Sequence, residues 1–375
     1  MSGAGPVGAP ATSDVPAGRL PALLLHDEPR HGVARYAREV AEEIARLVGR
    51  DLGVAESEWG AGSAPERIHA QFTDRLWARS PEDAAARFVA LAAGRQVSVT
   101  LHDVPQPSDG HAFERRIAAY SVVIGAAELV IVNSRHELAL LDEVGLRPAA
   151  PVVVAPLPAS PALHLPPSAT RPSVALGEGC SARDEASGAA ESGAPGEPGA
   201  ATDPTVAVLG YIYPGKGHRE TIEATAEAGV PLAVRALGAP SPGHEADAAE
   251  LVSLGATLGV DVTVSGFLSD DELITEAARV AVPVVAHQHF SASGSINSWV
   301  SAGRRPLVLR TRYTEEMDAL RPGTLTLVDP SGLADAIARA HADPASTVLA
   351  TGTSTRPHLD DTAAAYLAAW RGEAL

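Results

Sequence analysis

The sequence predicts two tandem doubly wound α/β domains, each a parallel sheet covered by helices. Three observations predict this. Apolar, β-branched runs alternate with stretches of helical spacing in both halves of the chain, the pattern of strand–helix–strand crossovers. A segment without any periodicity separates the halves. The length of 375 residues exceeds one ordinary core and suits two domains of roughly 150 residues each.

In the first half, a short apolar run at Ala22–Leu25 precedes Val33, Tyr36, Ala37, Val40, Ala41, Ile44, Leu47 and Val48, which share one helical face. Arg38, Glu42 and Arg46 form i,i+4 pairs on the other face, as on a solvated helix surface. Strands are expected at 68–72, 97–101, Leu129–Val132 and 152–155, and helices after Pro81, from about Phe113, and over 135–144. The second half begins with TVAVLG at Thr205, followed by a helix from Arg219, the strands PLAVRALG and DVTVSGF, and a helix that Ser269 and Glu272 start as a capping box. The strand VAVPVV, a helix after Ser295, the strands RPLVL and LTLV and a helix from Gly332 complete it. Leu359 opens a last amphipathic helix. The resulting organisation is a Gly/Ala/Pro/Ser-rich tail (1–18), a first domain (19–160), a Pro/Gly/Ala-rich linker (161–204), a second domain (205–358) and a C-terminal helix (359–375).

Composition excludes several classes of function. A formal net charge of -17 disfavours nucleic acid and anionic membranes, so an anionic ligand needs a local site. No apolar run is long enough to span a bilayer, and the tail lacks the basic start and apolar core of an export signal, so a cytoplasmic protein is expected. The single cysteine, Cys180, has no internal disulfide partner and lies in the linker.

Of the 29 basic residues, Lys216 is the only lysine. A compact ammonium fits a crowded phosphate pocket better than a planar guanidinium. It lies in GYIYPGKGH (210–218), a glycine-rich turn between a strand and a helix, where backbone amides and the helix dipole favour an anion. Gly210, Gly215 and Lys216 also satisfy G-x-x-x-x-G-K, but Gly217 replaces the magnesium-holding Ser or Thr, which leaves a P-loop phosphohydrolase as a lesser alternative. A second loop, HFSASGSINSW (289–299), places Ser293, Gly294 and Ser295 at another helix start, with Ile296 and Asn297 in its first turn. His287 and His289 alternate on one side of a strand end and His26 precedes Asp27, yet no third ligand stands at metal spacing, so no metal is expected. Asp103 is placed to orient His102 as a base or to close a turn before Pro105. Glu315 and Glu316 read as a solvated helix start.

These motifs in this order resemble the retaining GT-B glycosyltransferases of the large group-one (family 4-like) class. GYIYPGKG, VSGFLSDDEL, the serine/glycine loop and AGRRPLVL are similar to its donor-binding domain, and HGVARY, VTLHDVP and LVIVNSRHELALL to its acceptor domain. The likeness spans most of the chain apart from the tail and linker. It implies two Rossmann-like domains facing a cleft, with 19–160 as acceptor domain, 205–358 as donor domain and a final helix that crosses back to the first domain. It also implies a nucleotide-sugar donor as substrate, an unidentified acceptor hydroxyl, no further cofactor, and roles carried residue by residue. Lys216 falls on the diphosphate lysine, Gly32 on the N-terminal glycine loop near the donor phosphates, His102 on the loop that approaches the transferred sugar, and Gly294 and Ser295 on the loop facing the diphosphate and sugar.

Two departures stand out. Tyr211 occupies the place of the family's arginine, and Phe290 and Ser298 occupy the places of its glutamate pair, so the carboxylate that grips the donor ribose is missing. Loss of one charged hydrogen bond costs about 1.5–3 kcal/mol of affinity unless Ser295, Asn297 or the helix amides replace it. The reading is therefore a metal-independent glycosyltransferase with an atypical donor site, the alternative being a GT-B protein that binds its ligand without transferring it.

Overall fold

The computed structural model describes residues 20–59, 65–162 and 203–373. The tail, most of the linker and Cys180 lie outside the described residues.

The first domain runs β1 (Ala22–Leu25), α1 (Gly32–Val48), β2 (Gly53–Ala55), β3 (Arg67–Phe72), α2 (Asp74–Trp77), α3 (Pro81–Ala92), β4 (Gln96–Leu101), α4 (Phe113–Gly125), β5 (Leu129–Val132), α5 (Arg135–Glu143) and β6 (Val152–Val154). All pairings are parallel, in the order β2-β1-β3-β4-β5-β6. Local chemistry sets the helix ends. His31 caps α1 by accepting from the Val33 amide, and Gly49 closes it in the left-handed conformation. Ser80 caps α3, whose first position is Pro81. The edge strand β2 was not anticipated, because three half-buried residues are too few to display an alternation.

The second domain runs β7 (Asp203–Leu209), α6 (His218–Ala228), β8 (Ala233–Leu237), α7 (Glu245–Leu258), β9 (Val262–Val264), α8 (Asp270–Arg279), β10 (Val280–Val285), α9 (Gly294–Ser301), β11 (Leu307–Leu309), α10 (Arg312–Leu320), β12 (Thr326–Val328) and α11 (Leu333–Ala342), and α12 (Leu359–Arg371) follows. Its sheet has the order β12-β11-β10-β7-β8-β9 and is also all parallel. At the start of α8, the Glu272 carboxylate accepts from both the backbone N–H and the hydroxyl of Ser269 at 2.8 and 2.7 Å. Helix α7 escapes the periodicity because its Ala- and Gly-rich face buries only Ala248, Leu251 and Gly255.

Each sheet reverses strand order once, between β1 and β3 in the first and between β7 and β10 in the second. Loops leaving adjacent strands in opposite directions open a crevice there, at the carboxyl ends. Lys216 follows β7 and Ser295 follows β10, so both border the second crevice.

The apolar residues divide as the layers require. Phe72, Trp77, Phe88, Leu101 and Tyr120 fill one side of the first sheet. On its other side Val40 and Ile44 of α1 pack with Tyr366 and Leu367 of α12, so the last helix lies on the first domain. Arg321, fully buried, ties this return path to the second domain by donating to the carbonyls of Leu157, Thr355 and Pro357 and to Asn297 Oδ1.

Candidate functional site

The geometry of the glycine-rich loop at 210–218 starts from its glycines. Gly210, Gly215 and Gly217 have φ of 111°, 86° and 93°, a region that side chains disfavour. A Cβ on Gly217 would stand 2.5 Å from the carbonyl carbon and oxygen of Ala286, and one on Gly238 would stand 2.2 Å from the Gly210 carbonyl oxygen. The missing side chains thus let the turns after β7, β8 and β10 pack backbone to backbone. The Gln288 amide donates to the Gly215 carbonyl at 2.9 Å, which joins the loop to the end of β10. Crowding at Gly217 also speaks against the P-loop alternative, since a hydroxyl-bearing side chain there would meet the Ala286 backbone.

This packing turns Lys216 inward. Its side chain is only 8% exposed, and Nζ donates to Ser295 Oγ at 2.8 Å. Tyr213 lies under the ammonium, 5.8 Å from ring centroid to Nζ. Among the described residues no carboxylate pairs with Lys216. Burial lowers its pKa to about 8. A desolvated ammonium without a counter-charge is costly, and an anion supplied by a ligand relieves that cost. The N-termini of α6 and α9 add first-turn amides for which the helices have no acceptors.

The second loop divides its labour. Ser293 Oγ caps α9 by accepting from the Ile296 amide at 3.4 Å, and its own amide donates to Tyr313 Oη at 2.8 Å. Gly294 is exposed, with open space where a Cβ would stand. Ser295 holds Lys216. Ile296 is a core residue, its amide taken by the Ser293 cap. Asn297, one of the alternatives for replacing the missing carboxylate, has its Oδ1 turned to the buried Arg321 at 3.1 Å. Phe290 is likewise buried and stacks on Tyr313 at 5.1 Å, while Ser298 donates to the Gly294 carbonyl, so neither replaces a glutamate.

Facing loops of the first domain complete the arrangement. Tyr211 Oη donates to the Arg30 carbonyl at 3.1 Å, which brings the loop before Gly32 onto the glycine-rich loop. Ser291 Oγ accepts from the Val104 amide at 2.9 Å and donates to Glu137 Oε1 at 2.6 Å, which places the His102–Asp103 loop beside the second loop. His102 is buried, with Nε2 2.7 Å from Gln71 Oε1 and Nδ1 3.2 Å from Asn133 Nδ2. An Nε2–H tautomer satisfies both contacts. Burial, then the charge of His31, push its pKa down to about 3, so the ring is neutral. Asp103 does not orient it: at φ 53° its carboxylate pairs with Arg116 at 2.9 Å. A left-handed aspartate turned to a buried arginine is not visible in the pair His-Asp itself.

Three cross-domain residues escaped the sequence reading. Glu137 is buried and accepts from Ser291 and, at 2.6 Å, from the Asn133 amide. Glu316, read as solvated, instead reaches from α10 to accept the Arg135 and His136 amides at 2.7 and 2.8 Å, capping α5 from the other domain. His136 Nε2 lies 2.8 Å from the Phe290 carbonyl. Such partners share no local pattern; only Ser134 and Glu137, spaced as a capping box, leave a signal. Among the described residues no group of three His, Cys, Asp or Glu side chains forms a metal cluster, and no helix is long and apolar enough to cross a membrane.

Two parallel six-stranded sheets whose loops face one another, with the last helix packed on the first domain, define the GT-B fold. Solved structures agree with this. A glycosyltransferase from Rickettsia africae matches 93% of this chain and 97% of its own at 11% identity, with a TM-score of 0.61. Anabaena HepE, solved in complex with UDP-glucose, matches 93% of this chain and 94% of its own at 16% identity, with a TM-score of 0.57. Sucrose-phosphate synthase from Thermosynechococcus elongatus matches 81% of this chain and 69% of its own at 17% identity, with a TM-score of 0.52. At these identities the likeness establishes the fold. No protein-family profile and no curated protein sequence matches the chain.

Proposed function

We propose that the protein is a glycosyltransferase that moves a sugar from a nucleotide-sugar donor to an acceptor hydroxyl. The observation that carries this reading is the buried Lys216, held by Ser295 at the crevice between β7 and β10 and lacking any carboxylate partner among the described residues. As the bond to the anomeric carbon breaks, negative charge grows on the departing nucleoside diphosphate. A fixed ammonium and first-turn amides stabilise that charge without reorganising, which is where a protein lowers such a barrier most. The cation supplies the role that a divalent metal fills elsewhere, so the reaction is metal-independent in this proposal. Anabaena HepE, which shares the fold, was solved with UDP-glucose, and this supports a nucleotide sugar as donor. Family resemblance favours retention at the anomeric carbon and a hexosyl donor.

His102 serves in this reading as a neutral wall of the sugar pocket. Both ring nitrogens are engaged, so it does not take the acceptor proton in this conformation. The test is release of nucleoside diphosphate from UDP-, GDP-, ADP- and TDP-sugars, first without and then with candidate acceptors. Activity with one donor, lost at least a hundredfold in Lys216→Ala while the fold persists, is the expected result. Full activity in that variant would reject the assigned role.

A second reading, a GT-B protein that binds the donor without turning it over, is favoured by Phe290 and Ser298 standing where the resemblance places carboxylates. Saturable donor binding with neither transfer nor hydrolysis would select it.

A further inference from the structure

Beside Lys216 lie two buried histidines that the donor-site reading leaves without a task. His218 is the first residue of α6 and His287 follows β10. The chain segments that carry them are held together, since Gly217 packs on the Ala286 carbonyl and the Gln288 amide bonds to Gly215. His218 is 4% and His287 6% exposed. Both nitrogens of His218, and Nε2 of His287, are buried without a hydrogen-bond partner. His287 packs its ring on Phe290 at 4.8 Å. Buried imidazole nitrogens normally find partners, and leaving several unpaired next to an ammonium without a carboxylate partner compounds the cost.

We infer that His218 and His287 form, with Lys216, a carboxylate-free cluster that binds a phosphate-type anion and takes up a proton as the anion enters. The inference rests on the donor-site reading and deepens it by naming further binding residues and a proton linkage. The chemistry follows from the neighbours. The charged and titratable groups around the cluster are Lys216 from the glycine-rich loop, the two histidines themselves, Tyr213 below the ammonium and, facing Tyr213 from the first domain, Asp103 and Arg75. Among the described residues no carboxylate acts on Lys216 or the two histidines, and Asp103 is paired with Arg116.

In the ligand-free protein, burial and then the Lys216 charge hold His218 down to about 3, and the same causes, with His218 added, hold His287 well below its ordinary value. Both rings are therefore neutral near pH 7. An entering anion reverses the local field and favours an imidazolium. The proton comes from solvent or buffer and settles on an unpartnered ring nitrogen; no covalent bond forms or breaks.

The probe is inorganic sulfate, a divalent anion with no proton of its own to exchange near neutrality. Calorimetric titration of the full chain at pH 6.5, in two buffers of different ionisation enthalpy, counts protons taken up on binding. At that pH Lys216 is already charged, so uptake reports the histidines. The expected result is net uptake in the wild type, and an affinity at least fivefold weaker with uptake abolished in the His218→Gln/His287→Gln double variant. Nitrogen-15 spectra of the imidazoles, recorded with and without sulfate, check the same change in protein whose fold is unaltered. Unchanged affinity and no uptake in the wild type would overturn the inference, as would a wild type that does not bind sulfate. Lys216-dependent binding of a nucleotide sugar that survives the double variant would overturn it too, while leaving the donor reading intact. Sulfate binding with uptake, but no response to any nucleotide sugar, would instead sink the donor reading alone.

Discussion

Lys216 and Gly217 show how much the site depends on single residues. Because burial lowers the lysine pKa to about 8, loss of the ammonium should weaken anion affinity more steeply above pH 8, by up to a further tenfold per pH unit, than the histidine-linked fall below it. Isothermal titration of a bound nucleoside diphosphate across pH 7–10 checks this, and pH-independent binding would contradict it. Gly217→Ala forces a side chain at φ 93° onto the Ala286 backbone, with a stability cost of about 1–3 kcal/mol expected in urea unfolding and the glycine-rich loop displaced. Gly294→Ala, which meets open space, should be nearly neutral for stability. The lone lysine in a glycine loop was legible because composition isolates it and its local spacing announces a strand-to-helix turn. The partners of Asp103 and Asn297 were not: Arg116 and Arg321 reach them through tertiary packing that no spacing encodes.

At the scale of elements, α12 and α5 carry the argument. Tyr366 Oη lies 2.8 Å from Thr100 Oγ1, 3.1 Å from Tyr36 Oη and 3.3 Å from Gln71 Nε2, in the network that also holds His102 through Gln71. Tyr366→Phe strands those groups and should cost about 1–3 kcal/mol in thermal or urea unfolding. Glu316→Ala leaves the Ser134 cap of α5 in place but removes the acceptor of the Arg135 and His136 amides, at a cost of about 0.5–2 kcal/mol, and loosens the contact between domains; amide exchange at those two residues should rise in that variant. Strong elements were readable from periodicity and caps, as the Ser269–Glu272 pair illustrates. Edge strand β2 and helix α7 were not, because one is too short and the other too evenly small to show a face.

For the whole molecule, the domains meet through buried polar groups as well as surface ion pairs such as Arg35–Asp270. Glu137 is the most exposed to pH in its consequences. Burial raises its pKa to about 7 against the pull of Ser291 and the Asn133 amide. The folded state therefore holds this proton where the unfolded chain has released it, so its contribution is full below about pH 4.5 and is lost as pH rises through 7. Glu137→Gln should flatten that part of the stability profile. The two-domain architecture was legible from alternation, the linker and motif order; the cross-domain contacts were not, since they join residues far apart in sequence. The central claim, that Lys216 receives the diphosphate of a nucleotide-sugar donor, is tested most directly by thermal stabilisation with UDP, GDP, ADP, TDP and their sugars. A ligand at about 100 times its Kd adds roughly 2.7 kcal/mol, enough for a clear shift. The account predicts a shift with one nucleotide family that disappears in Lys216→Ala. Stabilisation undiminished in that variant, or none with any nucleotide, would contradict it.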